Sequence, residues 1–278
     1  MDIDHEVMKK VFGKGFWEFS RIYQFQKIII QIFSFSLMKG IVLAGGSGTR
    51  LRPVTKYLNK HMFPVYDKPM ILFSIDTLKT VGIKDIMLVV DRYAADKIIE
   101  FLGSGADFDV SITYRIQEKP DGIASAIRLC ESFVGSDNVL IILGDNIVFD
   151  DLNYDIRNFN SGCKIFLKKV ENPTSFGVPE FGTKQEITNI IEKPTIPPSR
   201  FAVTGVYIFD NTVFEKIHLC KPSPRGELEI VDVLNLYAKE NKTTYRELEK
   251  SWIDAGTFES LHEAATFVRE TNIKLKHS

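Results

Sequence analysis

From Met38 onward, short apolar runs typical of buried strands alternate with stretches whose apolar residues recur at helical spacing. Such alternation indicates βαβ units, in which helices cover both faces of a mainly parallel sheet. The predicted strands of this part are 39–44, 85–90, 111–116 and 138–143, and the predicted helices are 70–81, 94–102 and 123–134. We therefore predict an α/β fold built on a doubly wound, mainly parallel sheet.

After Asp145 the pattern changes to closely spaced strands followed by two helices. The predicted strands are 164–170, 187–191 and 201–209, and the predicted helices are 228–239 and 258–275. No repeat or low-complexity linker separates the two parts, so 38–278 is predicted to be one domain with halves at about 38–146 and about 147–278. Open α/β sheets bind ligands beyond the carboxyl ends of their strands, which directs attention to the loops after Ala44, Ile116 and Leu143.

Residues 1–37 form an extension with an aromatic-rich stretch, Phe16 to Leu37, that needs a separate explanation. Glu18, Arg21 and Lys27 interrupt this stretch, and the remaining apolar run is too short to cross a bilayer. No small-residue cleavage site follows it, as a signal peptide would require. We predict no stable membrane insertion and take Met38 as the functional start, with a surface-lying amphipathic anchor as the alternative.

Charge and cysteine content exclude several classes of function. The 278 residues carry a formal net charge of -1, which argues against nucleic-acid binding. The three cysteines are odd in number and widely spaced, so neither a zinc knuckle nor a disulfide framework is supported. A reducing, cytoplasmic location is expected.

A glycine-rich loop, Leu43 to Leu51, follows the first predicted strand. Glycines let backbone amides approach phosphate oxygens, and Arg50 can donate forked hydrogen bonds to them. The spacing does not match a Walker loop, and Leu51 stands where a dinucleotide fingerprint needs glycine, which argues against a nicotinamide-dependent oxidoreductase. Taken alone, the loop is better explained as a turn that is rich in glycine for conformational reasons.

Two aspartates are candidate metal ligands. Asp145 ends a very apolar strand, and Asp254 lies far downstream in the segment Trp252 to Thr257. A carboxylate in such a position either forms a turn or binds a hard cation, and Mg²⁺ prefers one or two carboxylates together with substrate phosphates. The spacing of these two residues does not choose between the alternatives.

In combination, several segments resemble the signature of the sugar-1-phosphate nucleotidyltransferases. They are GGSGTRL at 45–51, NKHMFP at 59–64, DKPMI at 67–71, QEKPDGIASA at 117–126, EKP at 192–194, RGELEIVD at 225–232 and WIDAGT at 252–257. The resemblance runs from Met38 nearly to the C-terminus. It implies a Rossmann-like fold of the nucleotide-diphospho-sugar transferase type, with the first half binding nucleotide and the second half binding sugar.

The resemblance also implies roles for individual residues. Catalytic roles fall to Arg50, Lys60 and Lys193, and Mg²⁺ binding falls to Asp145 and Asp254. The implied nucleotide-binding residues are Leu43, Gly45, Gly46, Gly48, Thr49, Arg50, Gln117, Pro120, Asp121 and Gly122. The implied sugar-phosphate-binding residues are Asn146, Gly177, Glu192, Lys193, Val203, Thr204 and Arg225.

The implied reaction is transfer of a nucleotidyl group from dTTP to glucose-1-phosphate, with UTP or another nucleoside triphosphate as the alternative donor. A sensor that binds nucleotide sugars without catalysis is the alternative from a different class, but binding alone does not require both the metal ligands and the cations. Phe176 stands where glucose-specific members usually have tyrosine, which leaves the sugar open. The resemblance does not extend to the extra C-terminal helices with which longer members build an allosteric site, so feedback control stays open. The oligomeric state stays open, and a homo-oligomer is compatible with the sequence.

Overall fold

The computed structural model describes residues 38–46, 48–93 and 95–277. The predictions about residues 1–37 therefore lie outside the described residues. Within the described ranges, no helix combines the length and the apolar character that crossing a bilayer requires.

Thirteen strands and eight α-helices are described in these ranges. The strands are β1 Met38–Ala44, β2 Pro64–Val65, β3 Lys68–Pro69, β4 Asp85–Asp91, β5 Ser111–Gln117, β6 Asn138–Leu143, β7 Asn146–Val148, β8 Cys163–Lys169, β9 Gly177–Phe181, β10 Ile187–Glu192, β11 Phe201–Phe209, β12 Thr243–Glu247 and β13 Trp252–Asp254. The helices are α1 Ile71–Thr80, α2 Ala95–Leu102, α3 Ile123–Arg128, α4 Glu131–Val134, α5 Asn153–Arg157, α6 Val213–Leu219, α7 Ile230–Lys239 and α8 Phe258–His277.

A seven-stranded sheet in the order β12-β8-β11-β6-β1-β4-β5 runs through both halves of the chain. All neighbouring strands are parallel except β11, which is antiparallel to both β6 and β8. The first crossovers lead outward from β1 to β4 and β5, and the chain then returns to place β6 on the other side of β1. The predicted α/β class with a mainly parallel sheet is confirmed, and the strand order reverses between β1 and β6, where a crevice forms at the carboxyl ends.

Helices cover both faces of the sheet. Ile41 and Ile141 are fully buried in a core that also includes side chains of α3, α6 and α7. On the opposite face, Gly40 of β1 lies beneath α1, where a β-carbon would be only 2.9 Å from Cδ1 of Leu78. A smaller core holds Ile253 and Val268, and in it α8 packs against β2 and β13. This packing fixes the edge of the sheet at which the crevice opens.

The structure departs from the predicted elements in two ways. The predicted helix 123–134 is divided, because α3 ends at Arg128 and α4 begins only at Glu131. Cys130 lies at the break with its N–H bonded to the Ile127 carbonyl, a tighter turn than the α-helical one, and it is fully buried. The strands β2, β3, β7, β9, β12 and β13 and the helices α5 and α6 were not predicted, since runs of two to seven residues are too short to show a clear period.

The three cysteines are free thiols, and two of them, Cys130 and Cys163, are buried. Burial raises the pKa of Cys130 to about 12 and that of Cys220 to about 11. Neither thiol therefore ionises near neutral pH, which agrees with packing roles.

Candidate active site

Two adjoining cavities open at the carboxyl ends of β1 and β6. The glycine-loop cavity, of about 320 Å³, is lined by residues that include Gly45, Gly46, Gln117 and Gly122. The Trp252 cavity, of about 460 Å³, is lined by residues that include Phe176, Gly177, Val203 and Trp252. The wall common to both cavities consists of Ile123, Leu143, Asp145, Glu192 and Lys193. The loops that the sequence singled out therefore meet at one place.

The glycine-rich loop divides between the two cavities. Leu43, Gly45 and Gly46 line the glycine-loop cavity, whereas Gly48 and Thr49 line neither cavity. Gly48 adopts a φ of 59°, and its carbonyl accepts a 2.8 Å hydrogen bond from the Thr55 hydroxyl. This turn starts the short 3-10 helix Thr49–Leu51.

Arg50 lies in this short helix and lines the Trp252 cavity. Its Nη2 is 3.8 Å from Oδ2 of Asp254, and its side chain is 56% exposed. Most of the guanidinium therefore remains available to a ligand.

Gln117 ends β5 and is held in one orientation. Its Nε2 donates to Oδ1 of Asp121 at 2.9 Å and to the carbonyl of Gly122 at 3.3 Å. Both partners are acceptors, so the amide nitrogen must face them. Oε1 then faces Gly45, where a β-carbon would be only 2.6 Å away. Asp121 lines neither cavity and acts by holding Gln117, while Pro120 lines the glycine-loop cavity directly.

Gly122, in the first half of the chain, lies in close backbone contact with Leu228 in the segment before α7. Its φ is 108°, and a β-carbon there would be 2.4 Å from the Leu228 carbonyl oxygen. On either side, the Leu228 N–H donates to the Asp121 carbonyl at 2.8 Å and the Ala124 N–H donates to the Leu228 carbonyl at 3.1 Å. Only glycine combines this φ with such a close approach.

A short antiparallel pair brings the two candidate metal ligands together. β13 pairs with β7 so that Asp254 lies opposite Asn146, the neighbour of Asp145. The Ala255 N–H donates to the Asp145 carbonyl at 2.9 Å. The side chains of Asp145 and Asp254 therefore share the Trp252 cavity although they are distant in sequence.

The Asn146 side chain organises this region. Its Nδ2 donates to Oδ1 of Asp145 at 3.0 Å, and its Oδ1 accepts from Nε1 of Trp252 at 2.7 Å and from the Gly205 N–H at 2.9 Å. Gly205 has no β-carbon that would collide with this amide. Asn146 therefore orients Asp145 and Trp252.

The two carboxylates differ in acidity. Burial opposes ionisation of Asp145, but the contacting Lys60 ammonium and the Asn146 amide hold its pKa well below the usual range. For Asp254, burial and the neighbouring charge of Asp145 raise the pKa to about 6, against the opposing effects of Arg50 and Lys60. The site therefore contains one carboxylate that is ionised at neutral pH and one that titrates at about pH 6.

His61 forms a buried part of the glycine-loop cavity wall. Its Nδ1 lies 2.8 Å from Oδ1 of Asn59, and because that oxygen only accepts, Nδ1 carries the proton. Burial, and next the Lys60 charge, lower its pKa to about 3, so the ring is neutral. The ring fits because Gly144 lacks a β-carbon, which would be 2.8 Å from Cδ2 of His61.

A charged cluster surrounds Glu192 in the wall between the cavities. Its Oε1 is 3.1 Å from Nζ of Lys193 and 3.3 Å from Nη2 of Arg225. The same Nη2 is 2.9 Å from Oε1 of Glu229. Lys193 has a positive φ of 45°, which turns the chain at the end of β10. Both cations are about half exposed and can reach a ligand phosphate.

The structure does not bring Thr204 to either cavity. Side chains alternate along β11, so Val203 and Gly205 line the Trp252 cavity while Thr204 points to the opposite face. Thr204 is fully buried, and its Oγ1 has no hydrogen-bond partner among the described residues.

Sequence reasoning assigned no role to Trp252 or to His61. Trp252 and Asp254 are two residues apart in one strand, and strand alternation alone places them on the same face. The Phe176 ring packs edge-on against Trp252 with centroids 5.4 Å apart, so the position that departs from the family pattern lies in the cavity wall. No local signal pointed to His61, whose burial depends on the distant Gly144.

The donor set at Asp145 and Asp254 fits a hard divalent cation. In the part of the chain that the structure describes, no group of three or more His, Cys, Asp or Glu residues is arranged to hold a metal ion. Two carboxylates leave the remaining positions to water and phosphate oxygens, which is the coordination that Mg²⁺ favours.

A doubly wound sheet with a glycine-rich loop, paired carboxylates and several cations at its crevice defines a class of enzymes that transfer phosphate-containing groups of nucleotides. Comparison with known families agrees: residues 39–271 match the model of the family described as Nucleotidyl transferase, and the chain belongs to that family.

Several similar proteins are named glucose-1-phosphate thymidylyltransferase. A glucose-1-phosphate thymidylyltransferase of Neisseria meningitidis is 43% identical over 247 residues, covering 86% of each chain. One from Mycobacterium tuberculosis is 43% identical over 237 residues, covering 84% of this chain and 82% of its own. A Bacillus anthracis crystal structure with bound sucrose, provisionally assigned the same activity, has 47% identity and a TM-score of 0.79 over 84% of this chain and 95% of its own. A UDP-glucose pyrophosphorylase complexed with UDP-glucose shares the fold, with 24% identity and a TM-score of 0.75 over 84% of this chain and 99% of its own.

Proposed function

We propose that the protein transfers the thymidylyl group of dTTP to glucose-1-phosphate, giving dTDP-glucose and pyrophosphate. One observation supports the proposal above all: Asp145, Lys60 and Lys193 lie close together where the two cavities adjoin. A carboxylate for a metal and cations for two phosphates are what a reaction between two phosphate-bearing substrates requires. The names of the relatives supply the two substrates.

In this proposal the base and ribose occupy the glycine-loop cavity and the sugar ring occupies the Trp252 cavity. The phosphates of both substrates meet at the wall common to the two cavities, which Arg50 borders from the Trp252 cavity and Arg225 from the glycine-loop cavity. The proposal assigns most nucleotide contacts to the half at about 38–146 and most sugar contacts to the half at about 147–278. Lys193 and Arg225 hold the sugar phosphate, and Arg50 and Lys60 neutralise the triphosphate. Mg²⁺ held by Asp145 and Asp254 supplies further neutralisation of phosphate charge when it is bound.

The reaction needs no covalent intermediate and no general base. A phosphate oxygen of the sugar attacks the α-phosphorus in line, and the bond to the leaving pyrophosphate breaks. The nucleophile is already ionised near neutral pH, so the side chains contribute by positioning and by offsetting the repulsion between two anions.

The orientation of Gln117 supports the choice of base. The Gln117 Nε2 donates to Asp121 and Gly122, so Oε1 is the amide atom that can bind a ligand. A carbonyl oxygen can accept from the imide N–H of thymine or uracil, whereas cytosine presents an acceptor at that position. Thymine differs from uracil by one methyl group, and the deoxyribose of dTTP differs from the ribose of UTP by a missing 2′-hydroxyl. Each difference contributes only about 1–3 kcal/mol to discrimination between the two nucleotides.

A matrix of nucleoside triphosphates and sugar-1-phosphates, assayed for pyrophosphate release, tests the proposal. We expect dTTP with glucose-1-phosphate to give the highest kcat/KM, UTP to be accepted more weakly, and CTP to be a poor substrate. Binding of nucleotide sugars without pyrophosphate release would instead support a sensor. A clear preference for UTP would assign the uridylyl reaction to the same site.

The proposed location is the cytoplasm. Nucleoside triphosphates and sugar phosphates are available there, and three free cysteines fit a reducing compartment.

A further inference from the structure

Only one oxygen of Asp145 faces the cavity cations. Oδ1 accepts from the Asn146 amide at 3.0 Å, and Oδ2 is contacted by the Lys60 ammonium. Both side chains of this ion pair are nearly buried, at 12% exposure for Lys60 and 11% for Asp145. A divalent cation that binds Oδ2 of Asp145 therefore competes with Lys60 for that oxygen.

Lys60 has a second destination within reach. A β-carbon built on Gly46 would lie 3.3 Å from Nζ of Lys60, so the ammonium borders the glycine-rich loop as well as Asp145. That loop is the proposed triphosphate site. The lysine stem is flexible, and rotation about its bonds moves the charge between these neighbours without moving the backbone.

Asp145 needs a compensating cation at all times. A buried carboxylate without a partner is costly, and Asp254 brings a second carboxylate into the same cavity. The other groups near Asp145 do not replace Lys60, because the Nδ1 of His61 is paired with Oδ1 of Asn59 and Arg50 lies nearest to Asp254.

We propose that the Lys60 ammonium pairs with Asp145 before the nucleotide binds. When the triphosphate binds and attracts Lys60 to the glycine-rich loop, the divalent metal takes the place of the ammonium at Asp145. The proposal rests on the proposed function, since it takes Asp145 as a metal ligand. It makes metal binding and nucleotide binding mutually dependent. The unliganded protein binds metal weakly, and the triphosphate strengthens that binding by removing the competing ammonium.

The experiment measures Mn²⁺ binding at pH 8 without nucleotide, from the electron paramagnetic resonance signal of free Mn²⁺. Lys60→Met removes the competing ammonium, and we expect it to bind Mn²⁺ at least about fivefold more tightly than the wild-type protein, the lower end of ordinary coupling between sites.

Lys193→Met is the matched control. It removes the same charge from the same cavity wall, but its ammonium pairs with Glu192 instead of Asp145. We expect its Mn²⁺ affinity to stay within about twofold of wild type, because a half-exposed charge farther from Asp145 is screened.

A second comparison adds dTTP to each protein, and the Mn²⁺ that dTTP binds in a protein-free sample is subtracted. We expect dTTP to tighten Mn²⁺ binding in the wild-type protein and to do so by a smaller factor in Lys60→Met, where no ammonium remains to be displaced. Lys60→Gln, which keeps a hydrogen-bond donor near Asp145 without the charge, should fall between the two and serves if Lys60→Met does not fold.

The outcomes separate the exchange from the metal site itself. Unchanged or weaker Mn²⁺ binding in Lys60→Met without nucleotide would overturn the exchange while leaving the metal site intact. Equal gains in Lys60→Met and Lys193→Met would overturn it as well, since the effect would then be one of total charge. If the wild-type protein bound no Mn²⁺ even with dTTP, Asp145 would not be a metal ligand and both proposals would fall.

Discussion

Asp145 and Asp254 are chemically unequal although both are aspartates in one cavity. Asp145 contacts an ammonium and accepts from an amide, whereas Asp254 has the N–H of Gly256 at 3.0 Å and an arginine only at 3.8 Å. The charge of Asp145 is therefore compensated locally, and the charge of Asp254 is penalised by burial and by its neighbour. We expect the two residues to respond differently to substitution and to pH.

Replacing Asp145 with asparagine should remove most of the activity. Asp145→Asn keeps the size of the side chain but removes the charge that the proposed metal requires, and we expect kcat at saturating Mg²⁺ to fall by about a hundredfold or more. Asp107→Asn, at an exposed aspartate outside both cavities, is the control. Near-normal turnover in Asp145→Asn would remove this residue from the metal site.

Acid should weaken metal binding through Asp254. A carboxylate must lose its proton to bind a cation, and Asp254 has a pKa of about 6. The apparent Mg²⁺ affinity, measured as the Mg²⁺ concentration for half-maximal activity, should therefore fall as the pH drops through about 6 and stay level above about 7. An affinity that did not change between pH 5 and pH 7.5 would show that Asp254 is not a ligand.

The short elements around Gly122 connect the two halves of the site. The start of α3 and the segment before α7 are joined by two backbone hydrogen bonds at Leu228, and Gly122 allows their close approach. Through this junction the Gln117 region on one side and the Arg225 to Glu229 segment on the other share one cavity wall. The geometry of the glycine-loop cavity therefore depends on a backbone contact.

A methyl group at Gly122 should disrupt this junction. Gly122→Ala places a β-carbon 2.4 Å from the Leu228 carbonyl oxygen at a φ of 108°, and we expect a loss of about 3 kcal/mol or more in the free energy of unfolding. Gly103→Ala is the matched control, since Gly103 also has a positive φ, of 53°, but nothing lies within 4 Å of its added carbon. That variant should lose only about 1 kcal/mol. Urea unfolding of both variants measures the difference, and equal losses would refute the close-contact argument.

In mild acid, two buried groups make opposing contributions to the pH dependence of the free energy of unfolding. His61 has a pKa of about 3 in the folded protein against an ordinary value of 6.5, so the unfolded chain binds its proton first and stability falls as the pH drops from 6.5 toward 3. Asp254 has a raised pKa of about 6 against 3.8, so its contribution rises as the pH drops through 6 toward 3.8. The net slope in mild acid is therefore smaller than either group alone would produce.

A variant without the imidazole should isolate the contribution of His61. Glutamine can still donate to Asn59 but does not titrate, so the advantage of wild type over His61→Gln should shrink by about 2 kcal/mol between pH 7.5 and pH 5, at 1.4 kcal/mol for each pH unit below 6.5. Urea unfolding at the two pH values gives this difference. A constant difference between wild type and variant would mean that His61 titrates normally in the folded protein.

Local patterns in the sequence determined the elements of the nucleotide half and their class. Apolar runs and helical spacing predicted β1, β4, β5 and β6 to within one residue at each end, because burial on both faces of a parallel strand leaves a continuous apolar run. The order of the motifs along the chain predicted the family, and the comparisons confirm this prediction. The divided helix at Cys130 and the six unpredicted short strands, β2, β3, β7, β9, β12 and β13, follow from hydrogen bonds that no local period encodes.

Tertiary structure alone decided how the candidate residues face one another. The pairing of β7 with β13 places Asp254 beside Asp145, and the alternation of β11 turns Thr204 away while Val203 lines the cavity. The contact of Lys60 with Asp145 and the raised pKa of Asp254 depend on side chains that are distant in sequence and are buried together. Residue type determines which charges a chain carries, but burial and the distance between charges set their energies, and only the folded packing fixes both.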